Sequence, residues 1–353
     1  MPITKKVDKA ALLKALELTR PGLSARGPGI EQSDCFLFRK GSVVTFNEET
    51  YCRAPTPLPE EITGAVPGSK LLEFLRKIPS DTISVECDKH EFRISGQKRR
   101  VGLRVEAVTD FPRIEKPESW AEAPPDLGEA IKTVQQCAGE NDSRFETVCV
   151  HLTPDWLEAF DTFQACRWKT PTGLKDSVLV RRNSIRHVSD LGMTHLALTP
   201  GWLHFQGAQG VRLSCRRYLE DYVDLTRALE VQGSKASFPK ALGVAALEAA
   251  GFSEEKEVMR RVRVDLRRGL LHLRSDGPSG WYEYGPKEVL YKGQALSFYV
   301  APQLLADIVK RRDEVILSPD RLKVNSGPCT YVAWLIQPDM VESKDDEEDS
   351  SED

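Results

Sequence analysis

Chemistry in this chain would have to come from its histidines, cysteines, acids or clustered cations, and most of these are patterned wrongly for catalysis. His90, His151, His187, His195, His204 and His272 lie mostly in strand-like runs or the turns beside them. None has the HExxH spacing that sets two imidazoles on one helix face around zinc. Cys35, Cys52, Cys87, Cys137, Cys149, Cys166, Cys215 and Cys329 are scattered, with no CxxC pair. They read as small buried hydrophobes of a reducing compartment, without metal or disulfide roles. The GPSG stretch at 277–280 lacks the strand-to-helix setting and the lysine of a phosphate-binding loop. With 53 acids present, carboxylate pairs arise by chance and single nothing out. The expectation is a protein that is not an enzyme and uses no metal and no cofactor.

Two patterns are left. Lys14, Arg20, Lys70, Arg76, Lys77, Lys132, Arg186, Lys310, Arg311 and Arg312 fall on or beside predicted helices, off the apolar stripes, where they can meet phosphates. Tyr331–Ile336 is apolar at every position, so that strand is covered on both faces or borders a pocket.

The elements that must position these residues follow from periodicity. Pro302 suits a helix first turn, and Leu304, Leu305, Ile308 and Val309 form one apolar stripe. Val315–Leu317, then Leu322 with Val324, then Tyr331–Ile336 read as strands separated by turns at Pro319-Asp320 and Asn325-Ser326-Gly327. The order recurs at 68–105, with Leu71, Leu72, Leu75 and Ile78 on the helix, and at 182–217, with Ile185, Val188 and Leu191. The turn glycines Gly96, Gly207 and Gly327 lie 111 and 120 residues apart, a period of whole domains rather than of solenoid units. Each domain has an earlier unit too: a helix over Asp8–Thr19 ended by Pro21-Gly22, a helix over Leu127–Ala138, and a helix over Phe238–Ala250, each with strands after it. The plan is six helix-plus-three-strand units.

A chain of 353 residues accommodates two or three domains with proper cores. Hydrophobic content of 40% and charged content of 29% describe a globular protein, and no apolar run approaches the roughly 20 residues that span a bilayer. The start, MPITKKVDKA, has no signal-peptide core, so a cytoplasmic location is expected. The net charge of −4 hides a split: Glu342–Asp353 carries eight acids and one lysine, leaving about +3 on the rest. That tail is too polar to fold. A near-neutral body cannot grip DNA by bulk charge, so any nucleic-acid contact must be local.

The stretch GSKLLEFLRKIPSDTISVECDKHEFRISG with the later Thr109–Ile114 (TDFPRI), Asp142–Phe145 (DSRF) and Tyr331–Gln337 (YVAWLIQ) resemble motifs of the bacterial-type DNA polymerase sliding clamp. The resemblance is to the β subunit of the replicative polymerase, in a divergent phage or prophage form. The resemblance spans about 1–340. It implies an α+β fold of three tandem domains of the DNA-clamp architecture, at 1–118, 121–236 and 237–340, followed by the acidic tail at 341–353. Each domain would supply two helices to the inner wall and a sheet to the outer wall of a closed ring of two chains. The function implied is a processivity factor that encircles double-stranded DNA without sequence preference and tethers the DNA polymerase and the clamp loader through short hydrophobic peptide motifs. Topology, rather than tight binding, would keep such a ring on DNA.

The resemblance also implies residues. Arg26 lies in the loop where the family has a DNA-contacting arginine, and Phe145, beside Arg144, stands where the family has a DNA-side tyrosine. With Arg76, Lys77, Lys132, Arg186, Lys310, Arg311 and Arg312 these make the expected DNA face. The implied peptide cleft comprises Arg167, Trp168, Leu225, Tyr299, Pro302, Val332, Ala333, Trp334 and Leu335, with Trp168 and Trp334 as walls. It departs from the family pattern, in that the usual TDGHRL run reads Phe163–Trp168 and the usual VVMPM ending reads Val332–Ile336. Two rival readings are a scaffold protein built from the same α+β unit and a hydrolase or nuclease whose acids meet only in the fold.

Overall fold

The structure is a computed structural model that describes residues 3–24, 30–109, 114–140, 144–253, 260–312 and 314–338. Its elements repeat six times. The first repeat is β1 (Ile3–Asp8), α1 (Lys9–Thr19), β2 (Cys35–Arg39), β3 (Ser42–Phe46) and β4 (Thr50–Pro55). The second is β5 (Gly64–Pro67), α2 (Gly68–Lys77), β6 (Thr82–Cys87), β7 (Glu91–Gly96) and β8 (Arg99–Arg104). The third is β9 (Ala121–Glu122), α3 (Leu127–Val134), β10 (Cys149–Leu152), β11 (Trp156–Phe160) and β12 (Gln164–Lys169). The fourth is β13 (Val178–Arg181), the short helices α4 (Arg182–Ile185) and α5 (Val188–Leu191), then β14 (Met193–Leu198), β15 (Trp202–Gly207) and β16 (Arg212–Arg216). After α6 (Thr226–Leu229), the fifth is β17 (Ser234–Ser237), α7 (Lys240–Ala249), β18 (Val262–Arg267), β19 (Leu270–Gly277) and β20 (Gly280–Glu288). The sixth is β21 (Leu296–Val300), α8 (Pro302–Arg311), β22 (Glu314–Leu317), β23 (Arg321–Ser326) and β24 (Cys329–Trp334).

Each repeat therefore has one strand more than the sequence pattern predicts, placed before its helix. These leading strands are exchanged between neighbours. β1 pairs with β6 while β5 pairs with β2; β9 pairs with β14 while β13 pairs with β10; β17 pairs with β22 while β21 pairs with β18. The repeats thus interlock in twos.

Residues up to Leu157 together with Thr170–Tyr222 form one compact unit, and Glu158–Lys169 with the chain from Val223 onward form a second. The first holds the four-stranded sheet β1-β6-β7-β8 and the eight-stranded sheet β5-β2-β3-β4-β16-β15-β14-β9. The latter is two four-stranded halves joined where β4 meets β16, Cys52 lying opposite Leu213. The second unit holds β12-β24-β23-β22-β17 and the four-stranded β20-β19-β18-β21.

Local chemistry accounts for the helices. The Asp8 carboxylate accepts from the Ala11 amide at 2.6 Å, an N-cap contributing about 1 kcal/mol. α1 then buries Leu12 and Leu16, and α2 buries Leu71, Leu72 and Leu75, against Phe36, Phe38, Phe92 and Ile94. Phe38 and Phe92 stack with ring centroids 5.3 Å apart. In the second unit, a Cβ at Gly243 would lie 3.3 Å from Ala306 Cα, so this glycine sets how closely α7 and α8 approach. The single helix predicted over Ile185–Leu191 is instead two short turns. Its His, Val, Ser and Asp residues are weak helix formers, and Gly192 (φ 59°) caps it in the left-handed conformation.

Candidate nucleic-acid face and peptide pocket

In the second unit, β12 and β24 run antiparallel, with Gln164 opposite Ala333 and Trp168 opposite Cys329. β24 is apolar because it is interior: Tyr331, Val332 and Ala333 are at most 1% exposed. Arg311 covers Tyr331 on one side, its guanidinium 4.9 Å from the ring centroid, and the Tyr331 hydroxyl donates to Gln164 Oε1 at 2.8 Å. The strand ends at Trp334, which is half-buried, and Ile336 then exchanges two backbone hydrogen bonds with Tyr299 (2.7 and 3.0 Å).

This turn-out of the chain opens a pocket of about 290 Å³. It is lined by Trp334, Ile336, Phe163, Leu247, Ala250, the first turn of α8 from Ala301 to Leu304, and the two cations Arg260 and Arg261. Phe163 and Leu247, each 43% exposed, present apolar surface to it. An apolar concavity with a few polar groups at its margin fits a hydrophobic peptide side chain.

Of the residues expected in the cleft, Pro302 and Trp334 line this pocket and Tyr299 is tied to it through Ile336. The others have structural surroundings. Val332, Ala333 and Leu335 are buried. Trp168, expected as an open wall, is only 7% exposed and does not line the pocket; it lies within β12, paired beside Cys329 of β24. Arg167 is held by the buried Glu158 carboxylate, with Nε and Nη2 both 2.7 Å from Oε2. Leu225 is buried just ahead of α6, whose last carbonyls are gathered by two cations of β23. Arg321 Nη1 donates to the Arg227, Ala228 and Glu230 oxygens at 3.2–3.3 Å, and Lys323 Nζ to that of Leu229 at 2.9 Å. Phe163 and Ile336 entered the sequence reading only as ends of the two cleft runs, and Leu247, Arg260 and Arg261 were not singled out by it.

The expected DNA face is spread over several helices. Arg76 and Lys77 are exposed at the end of α2, where Arg76 bonds Glu17 of α1 and Lys77 Nζ lies 2.8 Å from Glu73. Lys132 on α3 and Arg186 after α4 are exposed, as is Arg144. At the end of α8, Lys310 is exposed and pairs with Asp307 at 3.5 Å. Arg312 is exposed and donates to the Asn325 carbonyl at 3.1 Å. Arg311 was expected to stand off the apolar stripe beside them. It is half-buried instead, because the ring of Tyr331 offers its cation a π-face. Arg26 lies outside the described residues.

Phe145 is half-buried and meets Tyr218 edge-on at 4.6 Å, with the Arg181 guanidinium 5.1 Å from its centroid. The Tyr218 hydroxyl donates to Glu49, and burial followed by that carboxylate pushes the phenol well above its usual range. Arg181, 43% exposed at its side chain, is a cation the helix pattern could not find, since it ends a strand.

Among the described residues, no group of three or more His, Cys, Asp or Glu side chains is placed to hold a metal ion, and no helix is long and apolar enough to cross a membrane. Cys166 and Cys329 approach to 3.4 Å between their sulfurs, and this contact with burial keeps the Cys329 thiol protonated. His204 sits between Ser214 and Thr199 at 2.8 and 3.0 Å, and burial lowers it to about 4.

No known sequence family and no curated protein matches this chain. Solved structures do. The DNA polymerase III subunit beta from Pseudomonas aeruginosa is similar over 95% of this chain and 100% of its own, with a TM-score of 0.79 at 19% identity. The sliding clamp from Bartonella birtlesii, solved bound to griselimycin, gives a TM-score of 0.81 at 16% identity over 96% and 100%. The beta subunit from Streptococcus pyogenes gives 0.78 at 16% identity over 95% and 100%. The chain has the bacterial sliding-clamp fold.

Proposed function

We propose that this chain is a sliding clamp, a non-enzymatic, cytoplasmic processivity factor. Two copies close into a ring around duplex DNA, and the ring tethers a DNA polymerase and a clamp loader by short hydrophobic segments that enter the pocket beside Trp334. The observation that carries this reading is the fold likeness, which runs from end to end of the clamp subunits rather than over one shared domain.

Strand exchange supports three domains of two repeats each, at 1–118, 121–236 and 237–340, and six domains in a dimer. Ring closure has a physical motive in the sheets. β4 and β16 merge two four-stranded halves, whereas β1-β6-β7-β8 and β20-β19-β18-β21 remain four-stranded, with β8 and β20 at their edges. Unpaired edges are a liability that proteins cover. β8 exposes Arg99, Arg100 and Arg104, and β20 exposes Glu283 and Glu288 beside Lys287, so the two are largely opposite in charge. Pairing β8 of one copy with β20 of the next hides both edges.

DNA contact in this reading is to phosphates only, through Arg26, Arg76, Lys77, Lys132, Arg144, Arg186, Lys310, Arg311 and Arg312, with the Phe145 ring as an accompanying contact. Several of these cations already have acidic partners, which keeps their pull weak and suits sliding over gripping. Light scattering at micromolar concentration tests the assembly: a species of two chains is expected, and a monomer with no larger species overturns the ring.

A further inference from the structure

The pocket beside Trp334 has an unusual relation to the rest of its own chain. Trp334 and Ile336 are part of its wall, and residues 339–353 follow at once after Pro338. Those residues read DMVESKDDEEDSSED: one apolar pair, Met340-Val341, then a run in which acids outnumber lysine eight to one. The pocket has matching properties: an apolar hollow of about 290 Å³ with Arg260 and Arg261, both half-buried, among its lining residues and no acid among those in the described chain.

We propose that the chain's own tail occupies this pocket in the absence of a partner, Met340-Val341 filling the hollow and the acids beyond them facing Arg260 and Arg261. The proposal rests on the peptide-pocket reading above and adds regulation to it. Reach is sufficient, since Met340 is four residues past Ile336 and an extended chain covers about 3.3–3.6 Å per residue. Affinity need not be high. A segment tethered this closely is present at an effective concentration on the order of millimolar, so even a weak contact competes with a partner peptide. Only segments that bring a larger anchor than Met-Val, such as Leu-Phe, displace it. The tail then acts as a threshold on partner choice, and one that weakens with salt because its second half is electrostatic.

The test uses full-length protein in three forms: the parent, the double variant Met340→Ser/Val341→Ser, and a charge-neutral variant with Asp345, Asp346, Glu347, Glu348 and Asp349 changed to Asn or Gln. Each is titrated with a fluorescein-labelled synthetic peptide ending in Leu-Phe, at low and high salt and at two protein concentrations. Both variants are expected to bind the probe at least threefold more tightly than the parent at low salt. High salt should erase the gain of the charge-neutral form and leave that of the Ser/Ser form. Equal affinity in all three forms overturns the tail contact while leaving the pocket reading intact. A gain that appears only at the higher protein concentration also overturns it, since the occupant would then be the tail of a second copy. No binding to any form removes the pocket reading, and the tail's role with it.

Discussion

Replacing Trp334 by alanine separates a pocket wall from a core residue. Trp334 is half-buried, ends β24 and faces the same hollow as Phe163 and Ile336. Its neighbour Val332 is 0% exposed and lies within the sheet. Truncating an aromatic anchor at the centre of a peptide site costs about 2 kcal/mol of binding, or roughly 30-fold in affinity. The stability cost should be small, because much of the indole's surface meets solvent or occupant, and the Trp334 amide keeps its 2.9 Å bond to the Phe163 carbonyl. Val332→Ala should behave oppositely. It deletes two buried methyl groups for about 2 kcal/mol of stability and changes peptide affinity less than about twofold. Calorimetric titration of a Leu-Phe peptide and a thermal melt on both variants give the comparison. If Trp334→Ala keeps full affinity while melting lower than Val332→Ala, Trp334 is core and the site is elsewhere.

Three further outcomes are expected. Arg321→Ala removes the donor shared by the Arg227, Ala228 and Glu230 carbonyls and should cost about 2 kcal/mol, seen as a lower melting temperature and faster amide exchange across 227–230. His204, 3% exposed, is lowered by burial to about 4 from 6.5. Between those values the unfolded chain binds a proton that the folded chain does not. Its contribution is therefore whole above pH 6.5 and declines as pH falls toward 4, by up to about 3 kcal/mol; urea melts of His204→Gln should show a flatter acid limb. Lys310→Glu with Arg312→Glu should weaken retention on DNA and lower its salt slope by about one for each phosphate left unneutralised, with an unchanged melting temperature. Unchanged sliding and unchanged synthesis would remove the end of α8 from the DNA face.

Much of the fold was legible because periodicity reports burial. The stripes Leu71, Leu72, Leu75, Ile78 and Leu305, Ile308, Val309 bury as expected, while Leu304 is half-buried, and the apolar run from Tyr331 is interior through Ala333 before Trp334 and Ile336 border the pocket. The leading strands escaped because they alternate poorly. β1 buries only Val7 of ITKKVD, and β17 only Ala236 of SKAS. They are strands by virtue of their partners, β6 and β22, which local sequence does not reveal. The pocket escaped in part for a related reason. Phe163 and Leu247 are 84 residues apart, and only the pairing of β12 with β24 and the packing of α7 against α8 bring them to one hollow. Arg311 shows another limit. Helical spacing gives the side of a helix a residue starts from, while the direction of a long cationic side chain is decided by what it finds, here the Tyr331 ring.

In the proposed function the protein holds DNA by topology. The direct measurement is its retention, after loading by a clamp loader, on a nicked circular plasmid, followed by linearising that plasmid with a single-cut nuclease in moderate salt. A stable complex with the circle is expected, lost within minutes once free ends exist. Equal retention on circle and line, or no retention on either while the loader remains active, would contradict it.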